Sequence, residues 1–223
     1  FLGPNGAGKS TTMNIITGYL SATEGQVIVN GYDVFEDPEK AKKSIGYLPE
    51  QPPLYPDMKV REYLMFVADL KKVKKSERAS MIKSIMELTK ITDVSEKLIK
   101  FLSKGYKQRV GLAAAIVGYP EILILDEPTV GLDPKQIIEI RELIKSLSKK
   151  HTILLSSHIM QEIDAVCDKI IIINKGKLIA YDTPANIARV MENSRELHIT
   201  VCGSEMTVRR ALDYVDGIKK LDV

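Results

Sequence analysis

The sequence predicts an α/β fold in which a mostly parallel sheet is flanked by helices. Two short runs, residues 122–125 and 170–173, are continuously apolar, which is typical of strands that are covered on both faces. Segments with a helical spacing of apolar residues alternate with such runs, and this order is characteristic of parallel sheets with flanking helices. A glycine-rich segment at residues 3–10 leads directly into a predicted helix, so we expect a tight loop there.

The first elements follow from turn-forming residues and short apolar runs. A helix is predicted over residues 10–17 and ends at Gly18, since glycine tolerates the left-handed conformation at a helix end. Strands are predicted at residues 26–29 and 45–48. A turn and a polar segment around Asp37-Pro38 separate these two strands.

The middle of the chain predicts an inserted helical subdomain. Four prolines between residues 49 and 56 indicate a non-helical linker, because proline removes a backbone donor and blocks helices. Apolar residues then recur at helical spacing over residues 60–90, interrupted by the basic stretch 71–75, which predicts a helical hairpin. We expect the basic stretch to be a solvated face. The subdomain is predicted to cover about residues 54–112.

The second half of the chain returns to alternating helices and strands. Helices are predicted at residues 107–117, 135–148 and 160–166, and strands at 122–125, 152–155, 169–173 and, after a hairpin turn, 178–181. These segments complete a predicted main domain over residues 1–185. A strand at 196–202, a helix at 205–214 and a strand at 218–223 are predicted to begin a small, truncated α+β appendage over residues 186–223.

Composition excludes several classes of protein. The net charge of +3 over 223 residues, with acidic and basic residues interspersed, shows no basic footprint for nucleic acid. Cys167 and Cys202 lack the spacing of a metal or redox motif and favour a reducing interior. Apolar runs are far shorter than the ~20 residues of a membrane-spanning helix, so membrane association would come through a partner. Because only Phe1 and Leu2 precede the glycine-rich loop and residues 221–223 resemble the start of a strand, we expect a fragment truncated at both ends.

The glycine-rich segment predicts a phosphate-binding loop. It fits the pattern G-x-x-x-x-G-K-[ST] and is followed by a helix, so its backbone N–H groups and the helix N-terminus can point at phosphate oxygens. Lys9 is expected to bridge two phosphates, and Ser10 to offer a hydroxyl to Mg²⁺. The residues expected to surround the phosphates are Gly3, Pro4, Asn5, Gly6, Ala7, Gly8, Lys9, Ser10 and Thr11.

Two adjacent carboxylates end the apolar strand 122–125. Asp126 is in position to hold magnesium through water, and Glu127 to orient and deprotonate an attacking water. The alternative is that both acids only cap a turn into Pro128. Together with the loop, this pair indicates a P-loop NTPase.

Further motifs resemble those of ABC ATPases. The segment 102–109, Leu-Ser-Lys-Gly-Tyr-Lys-Gln-Arg, resembles the family's LSGGQ signature. In it Ser103 can cap a helix and Gly105 lets backbone N–H groups approach an anion, so both could contact a γ-phosphate, although Ser-x-Gly before a helix is often ordinary capping. The run 131–133, Gly-Leu-Asp, resembles the D-loop, and His158 resembles the switch histidine that contacts the γ-phosphate.

The resemblance covers about residues 1–185 and rests on five motifs in the family's order. It implies ATP and Mg²⁺ as cofactors and a dimer in which two ATPase subunits sandwich two ATP molecules, each signature completing the other subunit's site. It also implies a polytopic membrane permease as partner and a location at the cytoplasmic face of the membrane. The residue sequence of the motifs is most similar to that of exporter types, including gliding-motility and multidrug ATPases. The preference for adenine follows from the resemblance alone.

Two positions depart from the family pattern. Glu50 stands where the family has the Q-loop glutamine, and Gln51 follows one place later. Since a carboxylate oxygen suits a hard cation, we expect Glu50 to serve as the magnesium ligand, with Gln51 as the alternative. Lys104 replaces the first signature glycine, and we expect this change to be tolerated.

Two other functions compete with transport. A soluble ABC ATPase acting on ribosomes would carry two P-loops in one chain, and a chromosome-type ATPase would insert a long heptad coiled coil, whereas this sequence has one loop and no heptad repeat. A catalytically inactive nucleotide-binding module would lack some of Lys9, Asp126, Glu127 and His158, all of which are present. The transported substrate is not encoded in these motifs.

Overall fold

A computed structural model of the chain describes residues 1–193 and 204–212. The chain forms two compact units, Phe1–Pro184 and Ala185–Val223. The helices are α1 (Lys9–Ile16), α2 (Pro38–Lys43), α3 (Val60–Leu70), α4 (Lys75–Leu88), α5 (Lys104–Ile116), α6 (Pro134–Leu147), α7 (Met160–Asp164), α8 (Pro184–Asn193) and α9 (Glu205–Leu212). The strands are β1 (Ile28–Val29), β2 (Tyr32–Asp33), β3 (Ile45–Leu48), β4 (Ile122–Asp126), β5 (Thr152–Ser156), β6 (Ile170–Asn174) and β7 (Lys177–Asp182). In the described part of the chain, no helix has the length and apolarity that a membrane span requires.

The central sheet is parallel, as the apolar runs predict. Strands β3, β4 and β5 pair in parallel in that order. Leu2 forms parallel bridges with Ser157 and with Ile172, so it lies between the end of β5 and β6. Strand β7 returns antiparallel to β6 through a tight hairpin. The predicted α/β fold with a mostly parallel sheet flanked by helices is therefore confirmed.

Strand β4 lies at the centre of the core. Leu123, Ile124 and Leu125 are fully buried, because both faces of the strand are covered. Met13 of α1 packs into a cluster with Ile124 and other buried apolar side chains. Each such side chain contributes roughly 1.5–3 kcal/mol of transfer free energy when it is fully buried. The strand whose end carries Asp126 is thereby held rigidly.

Helices α3, α4 and α5 pack together in the middle of the chain. Helices α3 and α4 pack as the predicted hairpin, and α5 packs against both. The short 3-10 turns Thr92–Val94 and Ile99–Phe101 connect α4 to α5. A Cβ on Gly111 of α5 would lie 2.7 Å from the Pro52 ring, so the proline-rich linker rests directly on α5. This contact packs the linker, two residues after Glu50, against α5.

Several boundaries differ from the sequence predictions. Helix α2 forms within the polar segment that follows β2, and of its residues only Ala41 is buried, so hydrophobic periodicity could not reveal it. Helix α5 begins at Lys104 rather than residue 107, because Ser103 caps it. Strand β2, which pairs with β1, had no counterpart among the predicted strands. The predicted strands at 196–202 and 218–223 lie outside the described residues.

Lys71 is the exception in the basic stretch that was expected to be solvated. Its ammonium donates hydrogen bonds to the carbonyl oxygens of Ala115 at 3.1 Å and Val117 at 2.8 Å. It therefore joins the hairpin to the C-terminal end of α5, where carbonyl groups lack helical partners. Burial of the ammonium group lowers the pKa of Lys71 to about 8.

Candidate active site

The glycine-rich segment wraps tightly between Leu2 and α1. Gly6 and Gly8 have φ angles of 78° and 105°, which side chains rarely adopt. A Cβ on Gly3 would lie 2.3 Å from the carbonyl oxygen of Ile173, so only glycine fits there. The backbone of the loop leads directly into the N-terminus of α1, where N–H groups and the helix dipole favour anions.

The turn between β6 and β7 contacts this loop. The Gly176 N–H donates to the carbonyl oxygen of Ala7 at 2.9 Å. A Cβ on Gly8 would lie 3.5 Å from the Gly176 Cα atom. A hairpin much later in the chain thus holds the loop through Gly176.

Lys9 and Glu127 form an ion pair beside the loop. Lys9 is 6% exposed, and its Nζ donates to the Gly3 carbonyl oxygen at 2.7 Å. The same Nζ lies 3.4 Å from Glu127 Oε1. His158 Nδ1 lies 2.9 Å from Glu127 Oε2, within hydrogen-bonding distance. One carboxylate therefore connects the loop lysine with the histidine.

The backbone at the end of β4 aims Glu127 at these partners. Glu127 has a φ angle of 47°, which is uncommon for a residue with a side chain and is found at functional sites. Its N–H donates to Ser156 Oγ at 2.9 Å. Ser156 Oγ in turn donates to Asp126 Oδ1 at 2.5 Å. One serine hydroxyl thus contacts both predicted acidic residues of the site.

An open cleft of about 350 Å³ lies over the loop and is lined by most of the predicted site residues. Its lining consists of Asn5, Gly6, Ala7, Gly8, Lys9, Ser10, Thr11, Glu50, Glu127, Val130 and His158. Gly3 and Pro4 contribute carbonyl oxygens to Lys9 instead. Glu50 lines this cleft, whereas Gln51 lines a neighbouring groove.

The oxygen atoms around the cleft suit magnesium. Ser10, in the first turn of α1, and Glu50 line the cleft, whereas the Asp126 carboxylate at the end of β4 is buried and lies outside this lining. Mg²⁺ prefers oxygen ligands and is usually held by one or two protein groups together with phosphates and waters. The donor set therefore fits a magnesium ion that arrives with a nucleotide.

The signature-like segment lies away from the cleft lining. Ser103 Oγ accepts a hydrogen bond from the Tyr106 N–H at 3.4 Å, which caps α5. A Cβ on Gly105 would lie 2.5 Å from Gln136 Oε1 of α6, so a close contact requires glycine there. The Lys104 side chain runs over Gly131, where an added Cβ would lie 2.0 Å from the ammonium nitrogen.

Three residues beside the site, Thr129, Ser156 and Glu162, were not identified from the sequence. Ser156 was missed because the predicted strand stopped at residue 155. Glu162 is buried, and its Oε2 accepts hydrogen bonds from Thr129 Oγ1 and Ser157 Oγ, both at 2.8 Å. The available signal was two consecutive serines at the carboxyl end of a parallel strand, where side chains of neighbouring strands meet.

Comparisons with known proteins agree with this geometry. The family model described as ABC transporter matches residues 1–130. The linearmycin resistance ATP-binding protein LnrL of Bacillus subtilis (strain 168) is 36% identical over 221 residues, covering 97% of this chain and 71% of that protein. The bacitracin transport ATP-binding protein BcrA of Bacillus licheniformis is 41% identical over 181 residues, covering 80% of this chain. This chain spans 58% of the length of BcrA.

Solved structures share the same fold. A structure described as the ATP binding subunit of an ABC transporter superposes with a TM-score of 0.77 at 31% identity, covering 86% of this chain and 80% of that one. The structure of cbiO1 from Clostridium perfringens, described as part of the ABC transporter complex cbiONQ, gives a TM-score of 0.76 at 27% identity, covering 95% and 81%. The family model covers more than half of the chain and LnrL is similar along nearly all of it. The chain therefore belongs to the ABC transporter family, as one of its ATP-binding ATPase subunits.

Proposed function

We propose that this subunit hydrolyses ATP with Mg²⁺ in the cleft over the glycine-rich loop and thereby powers export through a membrane-spanning partner. The observation that supports this most is the arrangement of Glu127 between Lys9 at 3.4 Å and His158 at 2.9 Å. A cation that binds phosphate, a carboxylate and a histidine are the groups that in-line attack of water on a γ-phosphate needs. All three meet at the open face of the loop.

ATP binding begins with the loop itself. The glycine backbone and the N-terminus of α1 receive the phosphate oxygens. Lys9 exchanges its contact with the Gly3 carbonyl for the β- and γ-phosphate oxygens, a stronger charge-assisted interaction. Binding therefore replaces internal contacts of the loop with contacts to the nucleotide.

Hydrolysis depends on Glu127 and His158. Glu127 orients the attacking water and accepts its proton, a role that typically contributes about 10²–10⁴-fold in rate. His158 holds the carboxylate through Nδ1 and contacts the γ-phosphate with the other edge of its ring. The pair keeps the water in line with the bond that breaks.

Magnesium would be held by few protein groups. Ser10 contributes its hydroxyl, Asp126 acts through a water molecule, and Glu50 contributes a carboxylate oxygen in place of the family's glutamine. When bound with ATP, Mg²⁺ supplies charge neutralisation for the phosphates. Glu50 is preferred to Gln51 because Glu50 lines the nucleotide cleft.

A second ATPase subunit, either another copy or a paired homologue, completes the site. Ser103 and Gly105 lie outside the lining of their own chain's cleft, at the N-terminus of α5. Such a helix start is a ready site for the γ-phosphate bound to a facing subunit. ATP would therefore close a dimer, and hydrolysis would reopen it and move the helical subdomain against the membrane partner at the cytoplasmic face.

Export is favoured by the names of the relatives. LnrL is named for resistance to linearmycin and BcrA for transport of bacitracin, and resistance by transport removes a compound from the cell. Co-purification with a polytopic membrane protein, followed by ATP-dependent efflux from cells that express both, tests this direction. Binding to ribosomes or DNA instead of a membrane protein would support a soluble ABC ATPase.

The main experiment compares the full-length protein with its Glu127→Gln variant. We expect the parent to hydrolyse ATP only with Mg²⁺, and the variant to lose hydrolysis by a factor of about 10² or more while retaining ATP binding. Light scattering should show the variant as an ATP-trapped dimer. Glu121→Gln, an exposed change just before β4, is the matched control and should behave as the parent.

Three results would separate the alternatives. Hydrolysis by Glu127→Gln at the parental rate would show that Glu127 is not the base. A parent that is silent alone but active with its membrane partner would indicate activation by that partner. A parent that binds ATP but stays silent with the partner would support an inactive nucleotide-binding module.

A further inference from the structure

We propose that Ser156 is a positioning residue for ATP hydrolysis, because its single hydroxyl fixes both Asp126 and Glu127. The inference rests on the proposed function, since it assigns a role within the same site. Ser156 does not line the cleft and would not touch ATP. It acts through the two acidic residues that it contacts.

The hydroxyl uses one donor and one acceptor position. Its hydrogen is donated to Asp126 Oδ1 at 2.5 Å, and its oxygen accepts the N–H of Glu127 at 2.9 Å. Ser156 is 0% exposed, so water does not compete for either bond. Parallel pairing of β4 with β5 places Asp126 and Ser156 opposite each other, which fixes the hydroxyl at this spot.

The contact with the Glu127 N–H stabilises an unusual backbone. At Glu127 the chain leaves β4 with a φ angle of 47°. Such conformations persist only where surrounding contacts hold them. The serine oxygen gives the buried N–H an acceptor, so this turn can send the carboxylate toward Lys9 and His158. Without the hydroxyl, the N–H would be buried without a partner, which proteins avoid.

The contact with Asp126 fixes the rotation of its carboxylate. Asp126 is buried at the end of β4, and the serine hydroxyl occupies one of its two oxygens. A hydrogen bond to an ionised carboxylate is stronger than one between neutral groups. The position proposed to hold magnesium through water and the position of the base are therefore coupled through one atom.

The neighbouring serine has a different partner. Ser157 Oγ donates to Glu162 Oε2 at 2.8 Å and accepts the N–H of Ile159 at 3.1 Å. Thus Ser156 contacts Asp126 and Glu127, whereas Ser157 contacts a buried carboxylate of α7. This division makes Ser156 the specific target of a test.

The test compares Ser156→Ala and Ser156→Thr with the full-length parent. In Ser156→Ala we expect kcat to fall on the order of tenfold, since one charge-assisted hydrogen bond is lost, and half-maximal activation to need several-fold more Mg²⁺. KM for ATP and affinity for a fluorescent ATP analogue without Mg²⁺ should stay within about twofold, because the loop contacts are unchanged. Ser156→Thr keeps the hydroxyl and should recover most of kcat. In the equilibrium assay, the analogue should bind Ser156→Ala more weakly than the parent at limiting Mg²⁺, whereas at saturating Mg²⁺ the two affinities, like KM, should stay within about twofold.

A buried serine at the opposite end of the sheet provides the control. Ser44, just before β3, accepts a hydrogen bond from Asn30 Nδ2 at 3.1 Å and is 9% exposed, compared with 0% for Ser156. Ser44→Ala should lower thermal stability without changing the magnesium requirement. This variant separates a loss of packing from a loss of positioning.

Each outcome decides between the two proposals. If Ser156→Ala keeps the parental kcat and magnesium dependence while Glu127→Gln is inactive, the role of Ser156 is overturned and the proposed function stands. If Ser156→Ala and Ser44→Ala change kcat equally, the effect is structural and the inference is again wrong. If the parent neither binds the analogue nor hydrolyses ATP, the proposed function is wrong. The positioning role of Ser156, which rests on that function, is then wrong as well.

Discussion

Lys9 is a buried cation whose position depends on two acceptors of the same chain. The Gly3 carbonyl oxygen lies at 2.7 Å and Glu127 Oε1 at 3.4 Å from its ammonium nitrogen. Burying a charge without partners costs several kcal/mol, so these contacts keep the loop lysine beside the cleft. The same residue can then serve the fold and the proposed chemistry.

Glu50 is expected to matter more for magnesium than its neighbour. It lines the nucleotide cleft, whereas Gln51 lines the adjoining groove. We predict that Glu50→Ala raises the Mg²⁺ concentration for half-maximal hydrolysis several-fold, because a hard cation loses an oxygen ligand. Gln51→Ala is the matched control and should keep the parental value. An unchanged requirement in Glu50→Ala, or the larger effect in Gln51→Ala, would reassign the ligand.

At the scale of elements, the sequence predicted what hydrophobic patterns determine. Strand β4 and the hairpin of α3 and α4 follow from apolar spacing, and both were predicted within a few residues. Helix α2 was not, since only Ala41 is buried in it. The contact of Lys71 with the end of α5 was missed for a related reason, because a charged side chain gives no pattern that distinguishes a hydrogen-bonded position from a solvated one.

The residues of the site likewise fall into those that the sequence predicted and those that it did not. The glycine-rich loop, Asp126, Glu127 and His158 belong to motifs that can be read from the sequence. Ser156 becomes visible only when β4 and β5 pair in register. Contacts between distant elements depend on topology, which a single sequence does not display.

Helix α7 is tied to the rest of the molecule by Glu162. Its carboxylate accepts hydrogen bonds from Thr129 and Ser157 at 2.8 Å and lies 3.7 Å from a guanidinium nitrogen of Arg141. We predict that Glu162→Leu lowers the free energy of unfolding by about 2–4 kcal/mol, because these buried partners lose their acceptor. Urea denaturation measures the change.

An exposed glutamate on α6 provides the comparison. Glu142 is exposed, so Glu142→Leu should stay within about 0.5 kcal/mol of the parent. A loss below about 1 kcal/mol in Glu162→Leu would mean that its partners find other acceptors. The proposed tie of α7 to the end of β5 would then be unnecessary for stability.

At the scale of the whole molecule, the proposed ATP sandwich makes each site depend on two subunits. Lys9→Ala should disable the loop of its own site, and Ser103→Arg, at an exposed position, should disable the facing site. Each variant should be inactive alone. Mixing them should restore about a quarter of the parental rate if subunits pair at random, since half of the dimers then carry one intact composite site.

A second mixture tests the geometry of the sandwich. Lys9→Ala and Glu127→Gln both damage the loop side of the site, so their mixture should remain inactive. Activity in this mixture, or none in the first while light scattering shows mixed dimers, would contradict the exchange of signatures between subunits. The pair of mixtures thus separates a composite site from two self-contained ones.

The position of Leu2 between β5 and β6 also bears on how the protein is made. During synthesis, residues 1–10 emerge long before the strands that flank them, and domains generally fold as units once their segments are available. Joining segments so far apart in sequence is slow, because the entropy of loop closure is lost before the contacts form. The Gly176 N–H, which donates to the Ala7 carbonyl oxygen of the phosphate loop, belongs to one of the last segments of the domain to be made. We therefore expect that an unfinished chain that stops before β6 does not form the nucleotide site, so that ATP binding requires the completed ATPase domain.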